Sequence, residues 1–157
     1  MASLEERVAA LEARVFGEPS QVDGSAFWAL ERLRELAPDE GAVLFTGTVD
    51  LPTGEHYDWQ LGTPVGQLLD EDWQEFAAAL AALAHPMRLR LLREILGGVR
   101  ASTDLAATEG LGTSGQLYHH LRQLTAAGWL RTAGRGHYSV PPERVVPLLT
   151  ILAAARR

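Results

Sequence analysis

Residues 102 to 138 leave this chain little choice of fold. Thr103 to Glu109 read as a short helix that starts behind a Ser/Thr/Asp cluster and stops at Gly110, a residue suited to the position just past a helix end. Leu111, Gly112 and Thr113 make a tight turn, and Thr113 or Ser114 can cap the next helix. That second helix carries Leu117, Leu121 and Leu124 at i, i+4 and i+7, one apolar stripe, and ends at Gly128. Two short strands, around 129–132 and 137–140, flank a Gly-rich tip at Gly134, Arg135 and Gly136. A helix, a Gly-containing turn and a second helix form the arrangement that places the second helix in a DNA major groove.

Net charge opposes that reading until its distribution is considered. The 157 residues sum to −6, but residues 1–84 hold 4 Arg against 16 Asp and Glu, a net of −12. Residues 85–157 hold 10 Arg against 4 acids, a net of +6. A basic half on an acidic chain marks an end that faces nucleic acid. All 14 basic residues are Arg, which with abundant Ala reflects base composition as readily as selection for phosphate contacts. Cys is absent, so disulfides, thiolate nucleophiles and Cys-ligated metals are excluded. No apolar run approaches a membrane span and the N-terminus is charged, so a cytoplasmic protein is expected.

Ahead of the motif, Ser3 to Glu6 fit a capping box, and Leu4, Val8, Leu11 and Val15 come next at coiled-coil spacing. Two heptads are too short to stand alone, so this helix must pack on its own domain or on another subunit. Residues 17–24 read as a linker. An amphipathic helix over 25–37 presents Phe27, Leu30, Leu33 and Ala37. The period then changes to two. Val43, Phe45, Gly47 and Val49, then Tyr57, Trp59 and Leu61, alternate with their neighbours around a turn at 50–55, predicting a β-hairpin with its aromatics on one face. Such a hairpin must lean on a helix or a dimer mate. Phe45, Tyr57 and Trp59 are also the candidate lining of a ligand pocket, with plain core packing as the other reading.

A short helix over 63–69 with Pro64 in its first turn comes next. Trp73, Phe76, Ala77, Leu80, Leu83 and Ala84 predict a helix with a continuous buried stripe. His85, read as a cap, and Pro86 open another helix with Met87, Leu91, Leu92, Ile95 and Leu96 inward, ended by Gly97 and Gly98. A last apolar helix runs over 142–155.

Residues 82–92, in which an apolar helix meets His85-Pro86, then Arg88, Leu91 and Leu92, resemble the signature that opens the winged-helix domain of ArsR-type bacterial repressors. The helix at 102–109, Tyr118 to Leu124, Ala126 to Leu130 and the 134–136 tip continue the resemblance in order, over about residues 73–155. The resemblance implies a homodimer built on terminal helices, with two recognition helices and two wings, that regulates transcription. It also implies a metal switch, and there the residues depart from the family. The thiolate pair has no counterpart, and residues 144–157 contain neither His nor carboxylate, so both usual metal-sensing sets are missing. A member without metal or cofactor is expected, either responsive to a small-molecule effector or constitutive.

The fold expected is α+β and mostly α: a helical and β-hairpin region over 1–72 serving dimerisation or ligand sensing, then a winged helix-turn-helix domain over 73–157. In the recognition helix, 114–127, the outward positions are Ser114, Gly115, Gln116, Tyr118, His119, Arg122 and Gln123, with Thr113 at its cap. Gln116 and His119, one turn apart near the N-terminal end, are placed for base edges, and Gln can pair with adenine. Gly115 lets the backbone approach DNA, and Arg122 suits a phosphate. His120 is read as structural, hydrogen-bonded within the domain. In the wing, 131–138, Arg131, Arg135 and His137 frame the tip, where an Arg suits a phosphate or a narrow minor groove. Arg88 and Arg90 are either backbone contacts or surface charges. No nucleophile elbow, phosphate loop or His-Glu-x-x-His motif occurs, so no enzyme is expected. The alternative to DNA binding is a winged helix used as a protein-interaction module through the acidic N-terminal half. The terminal helix, with Val145, Val146, Leu148, Leu149, Ile151 and Leu152, carries more apolar surface than one small domain needs, which predicts a dimer helix.

Overall fold

The structure, a computed structural model, describes residues 27–156. The capping box at Ser3, the heptad residues Leu4 to Val15, the 17–24 linker and the expected helix start at Ser25 lie outside the described residues. Contacts divide the chain into two units, one up to Gly41 and one from Ala42 onward.

In the first unit, α1 (Trp28–Leu36) has Phe27 at its cap position and an exposed Arg32–Glu35 ion pair at 2.6 Å. None of its residues is buried. It stops where Ala37 turns extended ahead of Pro38, as the residue before a proline tends to do.

The second unit opens with the hairpin. Strands β1 (Ala42–Asp50) and β2 (His56–Pro64) pair antiparallel from Ala42 opposite Pro64 to Asp50 opposite His56. Residues Leu51 to Glu55 close it, with Leu51 N–H donating to the Glu55 carbonyl at 2.9 Å and Gly54 at φ +83°. The sequence grouped this hairpin with residues 1–72. It does touch the helix at Val65–Asp70 within that range, but its inward face rests on the last helix, α7 (Pro142–Ala154). Phe45, Gly47 and Val49 share that face with Trp59 and Tyr57, opposite Gly47 and Val49. The approach is closest at Gly47, where a Cβ would sit 2.7 Å from Val146 Cγ1. A two-stranded sheet cannot shield its own face, and α7 supplies the missing layer.

Helices α2 (Val65–Asp70), α3 (Gln74–Leu83), α4 (Pro86–Leu96), α5 (Ser102–Ala107) and α6 (Ser114–Ala126) come next, then β3 (Arg131–Thr132), β4 (Tyr138–Ser139) and α7. The result is a mixed α+β winged helix-turn-helix. Leu91, Leu92 and Ile95 of α4, Leu105 of α5, Leu117, Leu121 and Leu124 of α6, Trp129, and Val145 and Leu148 of α7 form one buried core. Each such side chain stabilises the fold by roughly 1.5–3 kcal/mol. His85 caps α4 as expected, its Nδ1 accepting from the Met87 N–H at 3.1 Å, with Pro86 at the first helical position. Among the described residues no helix is long and apolar enough to cross a membrane.

Two expectations need correction. The stripe on α3 is not buried: Trp73 is 62% exposed, Phe76 40% and Leu80 52%, and only Ala82 and Leu83 reach the core. The helix touches the core along one edge near its C-terminus, so its broad apolar row faces outward. On α5, Ala101 takes the cap position without a side-chain bond, and Ser102 is buried inside the first turn rather than capping it. The apolar row of α7 is shared between the core and the hairpin. Val145 and Leu148 enter the core, Val146 meets the hairpin, and of the large side chains only Leu152 is left exposed.

Candidate nucleic-acid interface

The turn between α5 and α6 depends on Gly110 and Gly112, both left-handed at φ +77° and +78°. A side chain is strained in that region, so the tightness of the turn is written in these two residues. Leu111 between them is buried and pins the turn to the core. Thr113 then starts α6 with a capping box. Its Oγ1 accepts from the Gln116 N–H at 3.4 Å, and Gln116 Oε1 accepts from the Thr113 N–H at 3.1 Å.

With Leu117, Leu121 and Leu124 buried, the opposite side of α6 is free, as the spacing predicts. Ser114, Gly115, Gln116, Tyr118, His119, Arg122 and Gln123 are all exposed. A Cβ at Gly115 would meet nothing within 4 Å, so nothing inside the chain requires glycine there. Their freedom differs, however. Gln116 is held by the capping box, with its side-chain NH₂ still available. The Tyr118 hydroxyl donates to Ser102 Oγ at 3.3 Å, docking α6 on α5. Gln123 Oε1 accepts from Arg88 Nη1. His119 and Arg122 project outward, and among the described residues no ion-pair partner is found for Arg122.

His120 departs from expectation. Its Nδ1 is buried without a hydrogen-bond partner, and its ring lies 4.6 Å from that of His85. Burial, followed by the neighbouring His85, Arg88 and His119, holds its pKa below the ordinary value. The ring packs against His85, and its Nδ1 lacks the hydrogen bond expected of it.

The arginines sort into two groups that the sequence does not separate. Arg88 donates to the Ala82 carbonyl, to the Ala81 carbonyl at 2.8 Å and to Gln123, joining the end of α3 to α6. Arg90 donates to the Glu109 carbonyl at 2.6 Å, just past α5. Both satisfy carbonyls at helix ends, where a cation is favoured, and neither is a loose surface charge. Arg144 lies over the Trp129 ring at 5.0 Å. In the wing, Arg131 Nε donates to Ser139 Oγ at 3.2 Å with the rest of its guanidinium exposed. Arg135 is exposed at the tip, between Gly134 and Gly136 at φ +106° and +73°. His137 is tied back through a bridge to Ala101 and by its Nδ1 near the Arg135 carbonyl at 3.2 Å. The N-terminal turns of α6, Arg122 and the wing's Arg131 and Arg135 are all exposed.

Of the three aromatics proposed for a pocket, Trp59 borders a cavity. A hollow of about 340 Å³ is lined by Thr46, Gly47, Asp58, Trp59 and Gln60. Trp59 Nε1 is buried without a partner, whereas Val49 and Tyr57 pack toward the core. Burial pushes the Tyr57 phenol pKa up, as does the nearby Glu55. A second hollow of about 360 Å³ lies between α3 and α6, lined by alanines with Arg88 and Gln123. Among the described residues no group of three or more His, Asp and Glu side chains is placed to hold a metal ion.

Comparison with known families gives a match over residues 83–132, from the end of α3 through β3, to a model described as a helix-turn-helix domain. No curated protein matches the chain.

Proposed function

We propose that this chain is a sequence-specific DNA-binding transcriptional regulator of the ArsR-like winged-helix type, a repressor acting as a homodimer. The observation that carries the reading is the capped helix α6, whose polar outer row is exposed, followed in the chain by a wing whose Arg131 and Arg135 are exposed as well. The helix-turn-helix match over the same elements supports it. In this reading α6 enters the major groove with His119 and the Gln116 amide toward base edges, while Gly115 keeps the backbone close. Arg122 and Arg131 meet phosphates, and Arg135 reaches the backbone or minor groove. No catalytic step is assigned to the chain. The test is selection from a random duplex pool with the purified full chain, followed by salt titration of the recovered sequence. Three phosphate contacts per protomer give a log–log slope of about −3, and of about −5 for a dimer. A flat slope, or a pool that does not converge, refutes the reading.

The exposed Trp73, Phe76 and Leu80 row, with Leu152 on α7 and the heptad residues near the N-terminus, supports self-association. Light scattering showing a monomer at micromolar concentration would sink that part. The same row favours the second reading, a winged helix that binds a protein partner. Salt separates the two, since only DNA binding predicts the steep slope. A small-molecule effector belongs to the proposal at the hollow beside the unpartnered Trp59 Nε1. Removing that donor with Trp59→Phe should then abolish effector release of DNA without changing DNA affinity.

A further inference from the structure

Glu55 closes the hairpin turn, and Arg100 lies 45 residues further on, just ahead of α5. They form a two-pronged pair: Arg100 Nη1 donates to Glu55 Oε1 at 3.3 Å and Nη2 donates to Oε2. The carboxylate is held from other sides as well. Thr53 Oγ1 donates to Oε2 at 2.6 Å, and the Tyr57 phenol lies within hydrogen-bonding reach. The Arg100 side chain is only 31% exposed. The turn is also seated sterically, since a Cβ at Gly98 would lie 3.1 Å from Thr53 Cγ2.

The backbone around Arg100 is part of the wing. Its carbonyl accepts from the Tyr138 N–H at 2.9 Å, and the Ser102 N–H donates to the Gly136 carbonyl at 2.8 Å. Ala101 bridges His137 between those two bonds. Strands β3 and β4 have only two residue pairs of their own, too few to fix a hairpin tip. The segment 100–102 is the third strand that holds them, and Glu55 grips that segment by its side chain.

We propose that the Glu55–Arg100 pair is a positioning device: the β1–β2 hairpin sets the angle at which the wing presents Arg135 to DNA. This rests on the DNA-binding reading. A half-buried ion pair open to solvent on one side adds little global stability, but its two-pronged geometry fixes orientation. Any partner or ligand that shifts the hairpin is thereby transmitted to the wing tip, some distance from the recognition helix.

The test uses the full chain with Glu55→Gln, and with Arg100→Lys, which keeps the charge but cannot grip both oxygens. Amide hydrogen exchange without DNA reads the anchor directly. Both variants should exchange the Tyr138 and Ser102 amides about tenfold faster, while the Leu117 and Leu121 amides keep wild-type protection. With the selected duplex, each should lower the salt slope by about one per protomer, as Arg135→Ala does. Combined with Arg135→Ala, neither should cause a further loss. Unchanged exchange at Tyr138 and Ser102 overturns the proposal, and so does an additive loss in the double variants. A wild-type chain that binds no duplex defeats the DNA reading alone, because the exchange measurement still decides whether the hairpin holds the wing.

Discussion

Gln116 gives the sharpest test of the recognition helix, because its fold role and its DNA role respond oppositely to one change. Its Oε1 accepts from the Thr113 N–H at 3.1 Å, completing the capping box at the start of α6. Gln116→Glu keeps that acceptor, makes it charge-assisted and sets a negative charge at the positive end of the helix. The fold should gain about 0.3–1 kcal/mol. On DNA the same carboxylate is brought between two phosphate backbones. The major groove is about 12 Å wide, so a side chain at its centre lies about 6 Å from either wall. One repulsion at that distance costs about 0.7 kcal/mol in water and about 2.8 kcal/mol at an effective dielectric of about 20. Binding should therefore weaken by roughly 3-fold to 100-fold. Gln116→Ala discriminates poorly, since it also loses the side-chain half of the capping box. Denaturant unfolding followed by circular dichroism, together with anisotropy on the selected duplex, reads both effects. A variant that is more stable yet binds like wild type removes the start of α6 from the groove. A less stable variant overturns the capping box.

Gly47→Ala forces a methyl against Val146, a β-branched and buried neighbour, and should destabilise the chain by about 1–3 kcal/mol in urea unfolding. Adding Val146→Ala should recover part of that loss, and its failure to do so would refute the close contact as the cause. Gly115→Gln should leave the fold intact or raise its stability by up to about 1 kcal/mol, because nothing surrounds the position, while weakening duplex binding. Unchanged binding would mean that no close backbone approach occurs there. His120 predicts a pH dependence. Its folded pKa lies below the ordinary 6.5, so below that value the unfolded chain takes up the proton first and stability falls as pH drops. His120→Gln should flatten the fall of stability as pH drops below about 6.5. His56, whose pKa is raised by Asp50 and then Asp58, acts with opposite sign: its stabilisation is complete below 6.5 and is lost as pH rises through its folded value.

What the sequence made legible was local and periodic. Leu117, Leu121 and Leu124 define α6 because a stripe at helical spacing has one way to be buried. Residues 43–49 and 57–61 announce the hairpin through their period of two. His85 and Thr113 are recognisable caps because a cap bond spans only two or three residues. What stayed hidden depends on where distant parts meet. The pairing of Glu55 with Arg100 crosses 45 residues, and nothing near either one signals it. Arg88 and Arg90 look like surface charges until the helix ends they satisfy are placed beside them. The row of Trp73, Phe76 and Leu80 has the spacing of a buried face, but periodicity tells which side is apolar and not what covers it. Gln116 has the chemistry of a base reader and of a capping residue, and only the geometry shows its carbonyl oxygen already engaged.

Among the described residues the hairpin pairs with no third strand, so something else must stop it sliding over α7. Gly47 acts as the detent. Along the inward face it is the one position without a side chain, and Val146 occupies the notch. Moving the hairpin by two residues would bring Phe45 or Val49 into a space that holds only a hydrogen. One missing methyl thus sets the position of a whole sheet.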